Sequence, residues 1–247
     1  MRKTKGFSLI ELMIAMGVLT IIATVAVPKV QVWNARNRGL QAVMELLSDF
    51  SKARSVAGYT IVGNDGNNKI EIPVDVDNPS GAKMPVYMGI RRQTAMVFRK
   101  SEYGIYQKQS MTSTWNAANS LMLKSNKLLN TVTVERINGL ATPSDPTAFN
   151  NNTILNFTSN GKIRSSGGAI ISSGQASDQC GSGDNKKISL EQVVFSAIIR
   201  SKITASGDDS IWYRVNMDQR GDYTVCTLFS SSSSVPTDFT AGDFLDI

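Results

Sequence analysis

The feature that most constrains this chain is an apolar run close to its N-terminus. From Phe7 to Val27 the sequence carries one charged side chain, Glu11. As an α-helix these residues rise about 31 Å, close to the hydrocarbon thickness of a bilayer, roughly 30 Å. The run therefore predicts a membrane-spanning helix. The cations that precede it predict that its N-terminus lies on the cytoplasmic side; they are Arg2, Lys3 and Lys5.

Glu11 is the exception within that run. Insertion of a carboxylate in an apolar span costs on the order of 2.5–3.5 kcal/mol, and less near an interface. Such a residue is therefore expected to have a function and a partner that neutralises its charge. The span itself contains no Lys or Arg. If the bond between Gly6 and Phe7 is cut, however, a new α-amino cation arises four residues before Glu11. Pairing between neighbouring chains would make Glu11 an assembly residue; pairing within one chain is the other possibility.

The run Gly6-Phe7-Ser8-Leu9-Ile10-Glu11-Leu12 resembles the class III leader of type IV pilins and type II secretion pseudopilins. The resemblance implies that a prepilin peptidase cleaves after Gly6 and N-methylates Phe7. It also implies that Glu11 pairs with the terminal amine of an adjacent subunit. Pro28 falls where these proteins commonly kink the helix. A secretory signal peptide cut near 23–27 and an ordinary membrane anchor are the alternatives, but both leave Glu11 unexplained.

Beyond Pro28 the helix is predicted to continue with one apolar face and to stop near Gly58. The apolar positions at helical spacing are Leu40, Val43, Leu46, Leu47, Phe50 and Ala53. Polar residues, Asp49 among them, are expected on the opposite face. Residues 34–54 resemble the second helical half of minor pseudopilins and minor pilins of the GspH/FimU/FimT type, and the resemblance returns at 154–163.

After Gly58 the pattern changes to strands and turns, which predicts an α+β fold of the type IV pilin kind: a long helix on an antiparallel sheet. Strands are predicted at 59–62, 69–76, 86–90, 95–99, 131–137, 154–158, 161–164, 169–172, 211–216 and 223–229. A short helix is predicted at 119–130, and 187–205 fits either a helix or a strand. The chain then divides into a cleaved leader (1–6), a membrane and filament-core helix (7–28), an amphipathic half (29–58) and a β-rich periplasmic domain (59–247).

Composition excludes several classes of chemistry. The chain has no His, which removes Ser-His-Asp and Cys-His catalysis and His-ligated zinc. The net charge is +6, but without residues 1–6 it falls to +3, from 23 Lys and Arg against 20 Asp and Glu. A generally basic surface for nucleic acid is therefore not indicated, and an enzyme is a remote possibility.

The two cysteines are Cys180 and Cys226. If the C-terminal part faces an oxidising periplasm, they are expected to form one disulfide. Such a bridge would stabilise the fold by roughly 3–4 kcal/mol in the chain-entropy model. Two buried free thiols are the alternative.

Three further groups of residues are candidate sites. Asp75, Asp77 and Asn78 could supply oxygen ligands for Ca²⁺, which some pseudopilins bind, but the string lacks the EF-hand Gly and distal Glu, so a solvated loop is favoured. Arg220-Gly221-Asp222 has the sequence of a cell-adhesion tripeptide, but a Gly-Asp pair between two strands predicts a hairpin turn instead. Gly161-Lys162-Ile163-Arg164 resembles the basic motif of DNA-binding minor pilins, although the chain lacks their basic C-terminal residues.

Together these observations predict a non-enzymatic structural subunit, a minor pilin or pseudopilin of a type IV pilus or type II secretion pseudopilus. Its expected partners are prepilin peptidase, other pilins or pseudopilins and an inner-membrane assembly platform. It is expected to cross the inner membrane once, with a periplasmic domain, before entering the filament. A minor pilin that captures DNA or a surface is the competing interpretation.

Overall fold

One helix, α1, runs from Leu9 to Gly58 and spans 50 residues. At 1.5 Å per residue it is about 75 Å long. Side chains 8–34 are all exposed, and packing against the rest of the chain begins at Ala35. The predicted helix end near Gly58 is confirmed. The two halves of α1 therefore have different surroundings, as their sequence patterns predict.

The computed structural model describes residues 8–58, 69–73, 81, 83–87, 94–108, 120–138, 140–144, 154–157, 163–165, 193–205, 207–218, 220–236, 239 and 242–245. Strands predicted at 59–62 and 169–172 lie outside these residues. Thirteen strands fall within the described part: β1 (Lys69–Pro73), β2 (Lys83–Tyr87), β3 (Thr94–Phe98), β4 (Glu102–Lys108), β5 (Ser120–Lys127), β6 (Val132–Ile137), β7 (Leu140–Ala141), β8 (Ile154–Phe157), β9 (Ile163–Ser165), β10 (Val193–Lys202), β11 (Ser210–Asp218), β12 (Tyr223–Ser230) and β13 (Asp243–Leu245).

These strands form three sheets. Strands β1 and β2 pair with each other. A five-stranded sheet has the order β5-β4-β3-β8-β9, and a six-stranded sheet has the order β13-β12-β11-β10-β6-β7. Each pairing between the described strands is antiparallel. One long helix packed on antiparallel sheets is an α+β fold, so the predicted fold class is confirmed.

The packed half of α1 joins the five-stranded and six-stranded sheets through an aromatic cluster. The ring of Phe50 lies 4.9 Å from that of Phe157 in β8 and 5.9 Å from that of Phe195 in β10. Phe98 in β3 lies 5.5 Å from Phe195, across the same junction. All four rings are buried. One hydrophobic core therefore includes the helix and both sheets, and aromatic pairs of this kind add about 0.5–1.5 kcal/mol each beyond area burial.

Four of the six apolar residues predicted on the packed face of α1 are buried, Val43, Leu46, Phe50 and Ala53, and the prediction is wrong at three other positions. Leu40 and Leu47 are only half-buried, and Asp49, predicted on the polar face, is buried. The residues that turn towards the sheets are mostly small: Ala35, Gly39, Ala42, Val43, Leu46, Phe50, Ala53 and Ala57. Small residues allow the helix axis to approach the sheets closely, a requirement that hydrophobicity alone does not reveal.

The prediction of a short helix at 119–130 is wrong, because residues 120–127 form strand β5. Strand β5 pairs along its length with β4, which the sequence reading did not recognise as a strand. Leu and Lys favour a helix locally. Pairing with β4, whose residues lie 12 to 25 positions earlier, overrides that preference, and Leu121 is buried as a result.

The helix alternative at 187–205 is also wrong where the structure describes it, since residues 193–202 form β10. This strand lies inside the six-stranded sheet, between β11 and β6. Residues 193–201 are buried on both faces, so apolar side chains occur on both faces and do not alternate with exposed polar ones. Such a run cannot be assigned from periodicity alone. The predicted hairpins at 154–164 and 211–229 are confirmed as β8–β9 and β11–β12.

Candidate functional site

Glu11 lies in the first turn of α1, where its carboxylate makes one of the two hydrogen bonds of a capping box. Helix α1 begins at Leu9, so Ser8 is the N-cap residue and Glu11 is the third helical position. The Ser8 N–H donates to Glu11 Oε2 at 2.9 Å, and the Leu12 N–H donates to the Ser8 carbonyl at 3.2 Å. A Glu at this position satisfies a free backbone donor and complements the positive end of the helix dipole. The sequence signal for this arrangement is the pattern Ser-x-x-Glu from Ser8 to Glu11.

The partner of Glu11 in this state is therefore neutral and belongs to its own chain. Among the described residues, the ion pairs are Arg99–Glu102, Lys100–Glu135 and Lys124–Asp49, and none involves Glu11. Gly6 and Phe7, the predicted processing residues, lie outside the described part of the chain. The carboxylate is thus placed at the helix start with its charge still available to a cation.

The exposed half of α1 has the dimensions of a membrane span. Within the described residues, α1 is the helix that is long and apolar enough to cross a bilayer, judged by length and composition. Its large apolar side chains from Leu9 to Val27 are between 51% and 77% exposed, so no described part of the chain covers them. Thr20 and Thr24 turn their hydroxyls inward, onto the carbonyls of Met16 and Ile21, at 2.8 Å each. An apolar environment is needed to cover this surface.

Pro28 sits inside α1, where the sequence places it at the end of the span. Pro has no N–H, so the carbonyl four residues earlier, at Thr24, loses its intrahelical donor. The helix nevertheless continues through this position. The kink predicted at Pro28 stays a prediction.

A polar network fixes the second half of α1 to the five-stranded sheet. Asp49 Oδ2 accepts from the Tyr103 hydroxyl at 3.0 Å, and Asp49 Oδ1 accepts from Lys124 Nζ at 2.5 Å. Asn126 Nδ2 donates to Tyr103 Oη at 2.8 Å and to Glu45 Oε2 at 3.2 Å. Burial, reinforced by the charge of Asp49, raises the pKa of Tyr103. These residues tie the helix to β4 and β5; the sequence reading missed them because their partners lie 54 to 81 positions away.

A close approach fixes the same half of α1 to the six-stranded sheet. The hydroxyl of Tyr213, in β11, donates to the Arg36 carbonyl at 2.8 Å. The ring of Tyr213 lies directly over Gly39, at a place where a Cβ would overlap it. Burial raises the pKa of Tyr213 to about 12, while the Arg36 cation opposes the shift. Gly39 is therefore the contact point between the helix and β11.

The raised pKa values of these tyrosines predict an alkaline loss of stability. In the unfolded chain Tyr titrates near pH 10, whereas Tyr213 in the folded chain keeps its proton to about pH 12. Between these values the folded state binds more protons, so the free energy of unfolding falls by about 1.4 kcal/mol per pH unit for each such Tyr. Denaturant unfolding of the chain in micelles between pH 8 and pH 11.5 measures this slope.

The variant that checks this assignment is Tyr213→Phe. It should start from a lower stability at pH 8, because its hydrogen bond to Arg36 is lost, at about 1 kcal/mol. Above pH 10 its stability should fall less steeply than that of the wild type. An identical slope in both proteins would show that Tyr213 does not hold its proton in the folded state.

The comparison with known protein families bears on the N-terminal segment. The family model described as the prokaryotic N-terminal methylation motif matches residues 1–27. The chain carries a prepilin-type methylation motif. No solved structure matches the chain. The motif supports a type IV pilin-like subunit that prepilin peptidase processes and that assembles with other pilins, and it points to a structural subunit rather than an enzyme. Together with the apolar half of α1, it fits a membrane-anchored pilin.

The methylation motif covers Gly6, Phe7 and Glu11. Of these, the structure describes Glu11. The cut after Gly6, the methylation of Phe7 and the pairing of Glu11 with an amine stay predictions. The geometry adds to the motif that the carboxylate is held at the helix start by its own backbone before any cut is made.

Cys226 lies in β12, is 1% exposed and is disulfide-bonded. Cys180 lies outside the described residues, so the bridge between the two stays a proposal. Cys226 belongs to a small cluster with Ile198, Trp212 and Phe239 on the face of the six-stranded sheet away from α1. A bridge at this point would tie the region around residue 180 to that face.

The remaining predicted sites fall in two groups. Asp75, Asp77 and Asn78 lie outside the described residues; within the described ones, no cluster of three or more potential metal ligands is found. Arg220-Gly221-Asp222 forms the turn between β11 and β12, with Gly221 at φ 91°. Asp218 Oδ1 accepts from the backbone N–H groups of Arg220 and Asp222 at 2.7 and 2.9 Å. The hairpin interpretation is therefore confirmed at this turn.

Proposed function

We propose that the chain is a minor pilin or pseudopilin, a structural subunit of a type IV pilus or a type II secretion pseudopilus. Prepilin peptidase cuts it after Gly6 and methylates Phe7, and the mature subunit assembles through Glu11. The observation that carries the proposal is the position of Glu11 in the first turn of an exposed apolar helix that bears the methylation motif.

The capping box supports a two-stage role for the carboxylate. Before processing, Glu11 accepts a hydrogen bond from the Ser8 N–H, so its cost in the apolar span is partly offset. After the cut, an ammonium group becomes available at Phe7 of each subunit. A charge-assisted hydrogen bond to ammonium is roughly twice as strong as one to a neutral amide. Glu11 then favours the terminal amine of an adjacent subunit, which registers that subunit in the filament.

The division of α1 supports a filament subunit in a second way. The side chains of the half that precedes Ala35 are exposed among the described residues, and the half that follows is fixed to two sheets. In the membrane, lipid covers the exposed half; in the filament, the same half of other subunits replaces the lipid. The sheets then remain outside, on the filament surface. Because both sheets attach to the helix directly, movement of α1 out of the membrane also moves the domain.

The proposed location follows from the same features. The subunit is first held in the inner membrane with its N-terminus in the cytoplasm and its β-rich domain in the periplasm, and an assembly platform in that membrane then extracts it. We assign it a low-copy place in the filament, because the long stretch 60–150 adds a domain surface without an evident repeat for lateral packing.

The first experiment identifies the mature terminus. Mass spectrometry of the chain recovered from cells that contain the prepilin peptidase is expected to show N-methylated Phe7 as the first residue. A Gly6→Leu variant should stay at its full length, because the cleavage residue is lost. A mature terminus at any other residue, or processing of the Gly6→Leu variant at Phe7, would contradict the proposal.

The second experiment tests the role of Glu11. Glu11→Gln keeps the size and the capping geometry but removes the charge. We expect normal membrane insertion and a drop of about tenfold or more in recovery from sheared filaments, since one lost charge pair is worth on the order of 1.4 kcal/mol or more. Glu45→Gln, on the same helix but beyond the span, serves as the matched control and should assemble normally. Equal recovery of both variants would refute the pairing role.

A further inference from the structure

Contacts between α1 and the six-stranded sheet define which end of the domain faces the membrane span. Near the start of the packed half, the Ala35 carbonyl accepts from Ser201 Oγ at 2.8 Å, and the Arg36 carbonyl accepts from Tyr213. Near the other end of the helix, Arg54 Nη1 donates to the Arg220 carbonyl in the β11–β12 turn. Strands β11 and β12 therefore run alongside the helix, and the end that carries Ser210 and Ser230 points towards the span.

Two exposed apolar side chains project at this end of the domain. Phe229, near the end of β12, is 58% exposed. Leu129, in the turn between β5 and β6, is 51% exposed, and this turn is held at the same end because the Lys202 N–H donates to the Thr131 carbonyl at 2.9 Å. Outside α1, the large apolar side chains that are exposed among the described residues are Leu129, Tyr223 and Phe229. Two of these three thus lie at the end that faces the membrane.

The helix presents apolar surface at the same level. Val32 and Trp33 are 38% and 63% exposed. A groove of about 290 Å³ connects this part of the helix to the sheet, and Phe229 forms one of its walls. Its lining residues on the helix are Val32 and Arg36, and those on the strands include Ile211, Leu228, Phe229 and Asp243. We call Val32, Trp33, Leu129 and Phe229 the proximal rim.

The depth of the proximal rim follows from the length of the span. If the hydrocarbon layer ends at Val27, then Val32 lies about 7–8 Å beyond it along the helix axis. The headgroup layer extends roughly 5–7 Å beyond the hydrocarbon on each side of a bilayer. Trp33 and Phe229 have side chains long enough to reach back into this layer, which is the depth that aromatic residues favour in membrane proteins. The exposed run of α1 is therefore continuous with the rim.

We propose that the proximal rim rests in the phospholipid headgroup layer while the subunit is held in the membrane, so that the domain lies on the bilayer surface rather than standing free of it. The proposal rests on the membrane insertion given under the proposed function. Phe229 and Leu129 insert beside Trp33, on the side of the domain that is fixed to the helix. Extraction into a filament must then withdraw the apolar side chains of the rim from lipid as well as the span itself.

Charges around the rim indicate that insertion, rather than attraction to anionic lipid, holds it. Cations and anions both lie at this end: Lys29, Arg36, Arg38, Lys127, Arg200 and Lys202 are among the cations, and Glu102, Asp208, Asp209 and Asp243 are among the anions. The end therefore carries charges of both signs. The contact is thus expected in a zwitterionic bilayer and is expected to change little when anionic lipid is added.

The experiment compares two Trp probes on one strand. The full chain with Phe229→Trp is placed in phosphatidylcholine nanodiscs, with or without bromine at carbons 6 and 7 of the acyl chains. Tyr223→Trp, about 20 Å away at the other end of β12, is the matched control. After subtraction of the parent chain signal, bromine should reduce Phe229→Trp emission about twofold and leave Tyr223→Trp emission nearly unchanged. Equal quenching of the two probes, or none of either, would overturn the proposal.

A second measurement uses the wild-type chain and so does not depend on either variant. Nanodiscs that contain a diazirine-bearing phosphatidylcholine are irradiated, and crosslinked peptides are mapped by mass spectrometry. Crosslinks at Phe229 or Leu129 together with those on residues 9–27 would support the rim. Crosslinks confined to residues 9–27 would overturn the rim but leave the proposed function intact. If residues 9–27 gave none, membrane insertion would fail as well.

Discussion

Replacement of Gly39 by Val is expected to lower the free energy of unfolding of the domain by about 3 kcal/mol or more. A Cβ at position 39 would lie 2.7 Å from Cζ and 2.9 Å from Oη of Tyr213. The Tyr213 ring is fully buried and its hydroxyl is held by the Arg36 carbonyl, so it cannot move aside without losing that bond. The helix must instead move away from β11, and the small-residue face that depends on close approach loses contact along its length.

Gly39→Ala separates this packing cost from backbone propensity. Ala favours a helix over Gly by about 1 kcal/mol, so a loss of stability in Gly39→Ala reports the clash directly. Gly17→Ala is the matched control, since nothing lies within 4 Å of its Cβ position. Chemical unfolding in micelles, followed by the emission of the buried Trp212, measures both. If Gly39→Ala were as stable as Gly17→Ala, or if its cost were unchanged in a Tyr213→Leu background, the close approach would not exist as described.

The sequence predicts the parts of this fold that depend on local physical chemistry. Hydropathy predicts the membrane span, and the single charge within it marks Glu11. A Gly after the last apolar position predicts the helix end at Gly58. Each of these signals lies within a few helical turns of the feature that it predicts. The hairpin β11–β12 follows from two β-rich runs around a Gly-Asp turn. In each case the interacting groups are close in sequence, so their pattern is complete within a short window.

The parts that the sequence did not predict depend on distant partners. Asp49 reads as a solvent-facing residue of an amphipathic helix, and only the hydroxyl of Tyr103, 54 positions later, accounts for its burial. Residues 120–127 read as a helix because their strand partner β4 was itself not recognised. No prediction was made for Gly39 from the sequence, because the Tyr213 ring that packs on it lies 174 positions later. The contacts of Asp49 and Gly39 orient the domain on α1, so this orientation could not be derived from periodicity.

Replacement of Asp49 by Ala is expected to cost about 2–4 kcal/mol of stability. The carboxylate is 3% exposed and accepts from both Tyr103 and Lys124. Its loss leaves the Tyr103 hydroxyl without its acceptor in a site that is 1% exposed, which is the larger part of the cost. The Lys124 side chain is 41% exposed, so water can solvate its ammonium and the broken ion pair adds less. The Asn126–Glu45 hydrogen bond and apolar contacts would then hold the five-stranded sheet to α1 at this point.

Three matched variants distinguish the hydroxyl from the ion pair. Asp49→Asn keeps an acceptor for Tyr103 and should cost about half as much as Asp49→Ala, whereas Lys124→Met should cost about 1 kcal/mol or less. Glu45→Ala removes a neighbouring carboxylate that is only half-buried, and its cost should also stay near 1 kcal/mol. Because Asp49 fixes the sheet to the helix that is withdrawn during assembly, Asp49→Ala should also reduce the recovery of filament-bound subunit. An Asp49→Ala protein no less stable than Glu45→Ala would mean that the network does not hold the sheet in place.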